Sequence, residues 1–559
     1  MAPSAAFIGE MEKKRNTRPK TKIEFVDKLA NVTDITPWFI SGANLEAVKE
    51  RAPDEIQAGQ FDIVLSNHDN KFSEYISTSL FYGMEYHGTA IKIYQGFLLP
   101  DGSTEFLIQG VGYIDQLLTD PSSSKVTLRC RDRMWRVMDE KIHIRPSVEV
   151  PVPGGGNVGN GIMSLIETRP FSTVNQSWTL TCTLGGIDGV ATFSVVGSIS
   201  GNIGTATSGT EFWSNSAGIK FTIHAGSFAW VLGDAFTFQS KKHPQWAGVN
   251  AAKIIWSILT GYNWDTDTIE DWSAFVFNFD HTKSAANVDL DYDFFVSAIS
   301  FVDDIGVFNL HGFANYDTDA IGFLQELTTI ILASLFTGND GRIKLKVYNP
   351  QPGDVERLFK DTEKITTLSY NRSIDEVINS VSVTFMATPS WPFSDGSLTL
   401  DGAYSYKDAP SITQFKELGV SFSLNWYTPT GEHARDFSTR LVTRYKTPPL
   451  NISFDTGMDA LETEIGDFVS ITDEKLGLNA IVGEVAKIKK SFDTMPTQIS
   501  LMLRRDAVVE QIFGYVGSSI DEGDGLSPQD DNYDTSSVTD KDFAYVGNSS
   551  PGNPDYRIY

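Results

Sequence analysis

The sequence predicts a mainly β protein with an α+β middle section, in which two β-domains of similar size flank the middle and a β-sandwich is inserted between them. Three observations predict it. Period-two alternation of apolar and polar residues fills 23–140 and returns over 366–510. At Pro151 the composition shifts abruptly to Gly, Ser and Thr with few charges. Helical periodicity is confined mostly to the stretch from Asn250 to Phe336.

The bounds agree. At about 150 residues per domain, 559 residues make three to four domains, and 41% hydrophobic and 12% aromatic residues fill several cores. Forty-five basic against 71 acidic residues leave a formal charge of −26. A chain so acidic repels nucleic acid and anionic membrane unless it carries a local basic patch, which excludes an ordinary DNA or RNA binder. Two cysteines, Cys130 and Cys182, exclude a cysteine-based zinc cluster and point to folding in a reducing cytoplasm. The longest apolar stretch, Leu324 to Phe336, contains Glu326 and is too short to span a bilayer, so it reads as a buried helix. No export signal is read at the N-terminus.

Residues 1–22 form a basic arm, with Lys13, Lys14, Arg15, Arg18, Lys20 and Lys22, most simply a solvated tail and alternatively a contact for an anionic partner. The first β-domain, 23–150, has strands at Phe61–Val64, Ala90–Tyr94, Thr104–Gln109 and Lys125–Arg131. In the last, Val126, Leu128 and Cys130 share one face, which makes Cys130 core filling rather than a nucleophile. Pro151 to Gly161 reads as a flexible joint into the inserted sandwich, 151–245.

The α+β middle section spans 246–365. Asn250 caps a helix carrying Ile254, Ile255, Ile258 and Leu259, which Gly261 ends. A second helix starts near Asp319, buries Ile321, Leu324, Leu327 and Ile331, and stops at Thr337-Gly338. Asn339-Asp340-Gly341 then turns the chain into the strand Arg342–Val347. The second β-domain, 366–515, has six strands and one helix, Glu432 to Tyr445, ended by Pro448-Pro449. From 516 to 559 the chain is an acidic extended tail, with nine acids and two bases after Ile520. There Phe513-Gly514-Tyr515-Val516-Gly517 returns as Phe543-Ala544-Tyr545-Val546-Gly547, two candidate docking strands for a sheet edge built on Phe513, Tyr515, Phe543 and Tyr545.

Catalytic motifs are scarce. Gly154-x-Gly156-x-x-Gly159 matches the dinucleotide fingerprint as a string but lacks the βαβ unit that would aim a helix at a pyrophosphate, so it reads as a hinge. Asp289, Asp291 and Asp293 begin like a calcium loop, yet Phe294 stands where the turn needs glycine and Ser300 where a bidentate Glu belongs. The eight histidines lack metal-ligand spacing. No catalytic residue, metal site or cofactor is assigned. Trp178, Trp213 and Trp230 of the insertion are candidate sugar-stacking platforms, with core or interface anchors as the plainer reading.

Several segments carry a resemblance. They are Gln57-Ala58-Gly59-Gln60-Phe61-Asp62-Ile63-Val64-Leu65-Ser66-Asn67, Asp69-Asn70-Lys71-Phe72-Ser73, Gly88-Thr89-Ala90-Ile91-Lys92-Ile93 and Gln95-Gly96-Phe97. To these add the helix–turn–strand at 319–348, Leu461 to Thr472 and the Phe-x-Tyr-Val-Gly elements. Together they resemble the tail hub (baseplate hub) proteins of tailed bacteriophages, of the siphophage tail-tip type. Asp69-Asn70 stands where that family often has Asp-Gly. The resemblance implies two tail-tube-like β-barrel domains in one chain and a non-enzymatic virion protein made in the host cytoplasm. It implies a homotrimeric ring at the tail tip that contacts the distal tail protein or tail-tube ring, the tape measure protein and a central fibre or spike. DNA would pass through without specific binding, an acidic lumen letting it slide. The alternatives are a carbohydrate-binding tail-tip protein, or a virion-associated glycan hydrolase, using the 155–240 insertion to recognise the host envelope.

Overall fold

The structure is a computed structural model. It describes residues 3–12, 19–42, 44–49, 59–120, 122–139, 150–169, 171–243, 245–270, 279–314, 320–351, 354–360, 366–389, 399–473, 478–492, 498–512, 544–546 and 556–558.

The first sheet is made of β1 (Pro19–Val26), β2 (Val32–Asp34), β3 (Phe39–Gly42), β5 (Gln60–Ser66), β6 (Ala90–Leu98), β7 (Thr104–Asp120) and β8 (Lys125–Arg131). Their order is β2-β1-β6-β7-β8-β5-β3, antiparallel throughout. Alternate residues of β5 and β8 (Phe61, Ile63, Leu65; Val126, Leu128, Cys130) turn inward, as a half-buried strand requires. The expected basic arm is different in kind. Helix α1 (Ala5–Glu12) inserts Phe7 and Met11 into the core, and Lys20 and Lys22 already belong to β1. Lys13, Lys14, Arg15 and Arg18 lie outside the described residues. After β8, Asp132 caps α2 (Met134–Asp139) by accepting from the Met134 N–H at 2.9 Å.

The region from Val152 to Ser240 has a core of its own, built on Trp178, Phe193, Phe221, Trp230 and Phe236 between a three-stranded and a five-stranded sheet. Pro151 to Gly161 is not the flexible joint its glycines suggest. Val152–Pro153 pairs as a strand, and the Asp234 carboxylate accepts from the N–H groups of Val158, Gly159 and Val231 at 2.8–2.9 Å.

The middle section holds α3 (Ala251–Thr260), α4 (Tyr292–Ile305), α5 (Ala320–Ile330) and α6 (Glu432–Tyr445) in one core with Leu310, Val381 and Trp426. Asn250 caps α3, accepting from Ala252 and Lys253, and Gly261 ends it at φ +76°. The expected helix through Phe336 is cut short. Leu332 takes a left-handed φ of +51°, and Ala333–Thr337 becomes a strand paired with Ile343–Val347. The apolar run is therefore a helix and then a buried hairpin arm. Among the described residues no helix is long and apolar enough to cross a membrane.

The second sheet is made of β9 (Val355–Lys360), β10 (Thr366–Arg372), β11 (Leu450–Thr456), β12 (Phe468–Asp473), β13 (Leu478–Ser491) and β14 (Gln498–Arg505), in the order β9-β12-β13-β14-β11-β10. Asp506 then caps α7 (Ala507–Ile512) through the N–H groups of Val508 and Val509. Leaving out β2, the first sheet runs β1-β6-β7-β8-β5-β3. Each unit thus has three leading strands and a three-strand meander, laid out in one and the same order. The bulges coincide as well. In β7 the register slips between Ile114 and Gln116, opposite Cys130 and Arg129, and in β13 between Val485 and Lys487, opposite Leu503 and Met502.

Neither sheet closes, which corrects the expectation of two β-barrels. Closure would bond β3 back to β2 or β1. Instead the chain passes from β3 into β4 (Asn44–Val48), which pairs with β13 of the second sheet. Ile23, Ile63 and Ile91 of the first sheet share one apolar cluster with Ile452, Leu501 and Leu503 of the second.

Candidate functional site

The candidate site is the junction between the two sheets, because the crossing ribbon leads there into a line of paired buried charges. The crossing is tight. A Cβ at Gly42, where φ is +100°, would lie 2.1 Å from the Asp62 carbonyl oxygen, and one at Gly110 of β7 would lie 2.5 Å from Leu45 of β4. β4 then lies along the later half of β13, from Lys487 opposite Val48 to Ser491 opposite Asn44.

Lys49, next in the chain, starts a line of buried charges. Its Nζ donates to Glu484 Oε1 at 2.7 Å, and Arg444 Nη2 of α6 donates to Glu484 Oε2 at 2.6 Å. Arg444 Nε donates to Asp506 Oδ2 at 2.8 Å, and the Tyr348 hydroxyl donates to Asp506 Oδ1 at 2.6 Å. The Arg444 guanidinium stacks on the Tyr348 ring, 3.6 Å from its centre. All five side chains are buried. Burial pushes the Glu484 carboxyl up, but Lys49 and Arg444 outweigh it and hold the group below its usual range. The line ties five separate chain segments with two cations and two anions. Its groups neutralise one another, so it clasps the fold.

A cavity of about 80 Å³ lies where β4 runs along β13, lined among others by Leu45, Asp132, Thr337 and Lys490. Lys490 Nζ donates to Gln109, Asn339 and the Leu461 carbonyl at 2.8–3.1 Å, all neutral acceptors. Burial brings its ammonium down to about 8. Asp132 is pushed up to about 7, again by burial, which outweighs the Gly59 and Met134 N–H groups it accepts from.

The sequence candidates fall elsewhere. Trp178 and Trp230 are core residues of the insertion: Trp178 donates to Ser240 Oγ, and Trp230 packs edge-on against Phe193 and Phe236. Neither offers a ring face to a sugar. Trp213 is 56% exposed. Asp289 and Asp291 meet side-chain cations, Arg133 and Arg342 respectively. Asp293 lies on the first turn of α4, and the three carboxylates form no cation cage. Cys130 is buried without a partner cysteine, and burial raises its thiol. Phe513, Tyr515 and Phe543 lie outside the described residues, while Tyr545 sits in the short strand Ala544–Val546, paired with Tyr556–Ile558.

Sequence reasoning missed Lys49, Arg444, Glu484 and Asp506. One signal was there. Arg444 falls three residues after Leu441 and seven after Phe437, on the buried stripe of α6 where a cation needs a partner.

No protein-family profile and no curated protein matches the sequence. Among solved structures, the chain is similar to a tail protein from Neisseria meningitidis MC58, at 10% identity over 87% of this chain and 97% of that one, with a TM-score of 0.39. It is similar to the 43 kDa tail protein of prophage MuSo2 from Shewanella oneidensis (11% identity, 87% and 98% covered, TM-score 0.39). It is also similar to the prophage tail protein gp18 from Listeria monocytogenes EGD-e (10% identity, 88% and 97% covered, TM-score 0.36).

Proposed function

We propose that this chain is a structural protein of a phage tail, assembling as a homotrimeric hub ring at the distal end of the tail tube. The observation that carries the proposal is the pair of twin units joined side by side. Within one chain, β4 fills the free edge of β13 along Lys487–Ser491. The bulge alignment makes Gln116–Asp120 of β7 the twin of that edge. Among the described residues only β8 pairs with this stretch, and Leu118 on it is 45% exposed. A filled edge on one unit and an open twin on the other form a head-to-tail interface, which closes into a ring when the rotation per unit divides a full turn. Six units from three chains then surround a channel. Its acidic wall lets DNA pass without sticking, and the ring joins the tube above to a fibre or spike below.

The test is the mass of the purified chain in solution, alone and with Leu118→Lys, a substitution at an exposed side chain. A trimer that the lysine dissociates to monomers is the expected result. A wild-type chain that is monomeric at every concentration, or a trimer unmoved by the lysine, overturns the proposal.

A further inference from the structure

The insertion differs from the rest of the molecule in charge. Between 151 and 245 it has four acids (Glu167, Asp188, Glu211, Asp234) and four bases (Arg169, Lys220, Lys241, Lys242). They cancel, so the whole net charge of −26 falls on the remainder of the chain. The insertion alone is not repelled by an anionic surface.

Its two ends also differ. The strand Gln176–Leu184 pairs with Ala235–Ser240 so that Gln176 faces Ser240 and Thr181 faces Ala235. Val152, where the chain enters, faces Thr237. Entry and exit therefore share one end, and the loops 184–190 and 226–234 form the other, away from the body. Those loops are bound together: Gly186 and Trp230 exchange backbone hydrogen bonds at 2.9 Å, and Gly233 donates to the Cys182 carbonyl.

On this distal end six apolar side chains face solvent: Leu184, Ile187, Val190, Phe228, Val231 and Leu232, with Leu232 72% and Phe228 63% exposed. The loops hold two charges: Asp234 is buried, and Asp188 lies at the surface, its side chain 43% exposed and 3.6 Å from His224. Asp234 is capped by three N–H groups, and Asp188 accepts from Ser208 Oγ at 2.6 Å and from the Ala225 N–H at 2.7 Å. A clustered apolar surface of this kind marks an interaction site.

We propose that this end docks on a lipid bilayer, its aliphatic tips entering the boundary between headgroups and acyl chains. Four features favour lipid over other partners. Protein interfaces concentrate Tyr, Trp and Arg with a hydrogen-bonding rim, whereas five of these six side chains are aliphatic. Sugar recognition needs open aromatic faces and polar groups, whereas Trp230 points inward and Phe228 alone of the six exposed side chains is aromatic. Part of the loop backbone is already paired, through the N–H groups of Gly186, Gly189, Trp230, Gly233 and Asp234, so those donors would enter lipid with partners. The neutral charge leaves this end itself without repulsion from an anionic surface. The proposal does not depend on the ring.

The experiment is co-sedimentation of the full-length chain with vesicles of phosphatidylcholine, and of phosphatidylcholine mixed with phosphatidylglycerol. The variants are Phe228→Ser/Leu232→Ser and Ile199→Ser. Ile199 is as exposed as the tip residues but lies at the opposite end, where its N–H meets Gln176. Wild type and I199S bind both vesicles, with little effect of salt. The double variant loses about a hundredfold in affinity, about tenfold for each side chain withdrawn from lipid, with its melting temperature unchanged. Absence of wild-type binding, binding that survives the double substitution, or loss of self-association rather than lipid binding in that variant overturns the proposal, the last outcome making the patch a contact between copies.

Discussion

The two sheets share one strand order and differ in how they are held. At the end of the first meander, Asp132 caps α2 and meets backbone N–H groups, including those of Gly59 and Met134. At the matching point of the second, Asp506 caps α7 and also meets Arg444 and Tyr348. The first strands differ too: β1 runs antiparallel to β6, but β9 runs parallel to β12. Strand order and bulges survive these changes because they rest on inward apolar residues that correspond, Phe61, Ile114 and Cys130 against Ile452, Val485 and Leu503. The charges do other work. They gather where β4 leaves one sheet for the other, and so they fix the junction.

The largest expected effect follows from that. Arg444→Met removes the cation shared by Glu484 and Asp506 and leaves both carboxylates buried. The loss in unfolding free energy should be about 3–5 kcal/mol, read from urea or guanidinium midpoints. A loss below about 1 kcal/mol would mean that the second unit is held, like the first, by its apolar face alone.

Much of this comparison was legible in the sequence. Alternation located β5 and β8 within a few residues, and Asn250, Gly261 and the Asn339-Asp340-Gly341 turn bounded their elements as local chemistry demands. The junction was not legible. Nothing local in Asn44–Val48 says that it pairs with a strand more than 400 residues later, and nothing in Lys49 names Glu484 as its partner. Leu332 broke the second helix because the buried hairpin that follows outweighs helix propensity. Trp178 and Trp230 drew attention for their type, but their burial is a property of the packed sandwich.

The second prediction uses pH to separate the two caps. Asp132 is raised from 3.8 to about 7. Between about pH 4 and about pH 7 the folded chain keeps this proton and the unfolded chain has released it, so stability falls as pH rises through that window. Asp132→Asn cannot ionise. It loses the bond from the Gly59 N–H at every pH, costing about 1 kcal/mol, but it escapes the penalty of a buried carboxylate. Relative to wild type, the variant should therefore gain about 2–4 kcal/mol on going from pH 4 to pH 8. Parallel stability profiles for the two proteins would show that Asp132 ionises freely in the fold.

The smallest effect tests whether position alone gives a charge pair its strength. Arg129 and Asp62 pair across β8 and β5 of the first sheet at 3.4 Å, each more than a third exposed. Water screens both charges, and holding two long side chains in one arrangement costs entropy. Lys49 and Glu484 pair at 2.7 Å with both side chains about 3% exposed. A double-mutant cycle on Arg129→Ala and Asp62→Ala should return a coupling of no more than about 0.5 kcal/mol, falling further in salt. The same cycle on Lys49→Met and Glu484→Gln should return about 1.5 kcal/mol or more and resist salt. Equal couplings would break the comparison: the buried line would then be no stronger than a surface pair, and the tight crossing at Gly42 and Gly110 would be left to hold the junction.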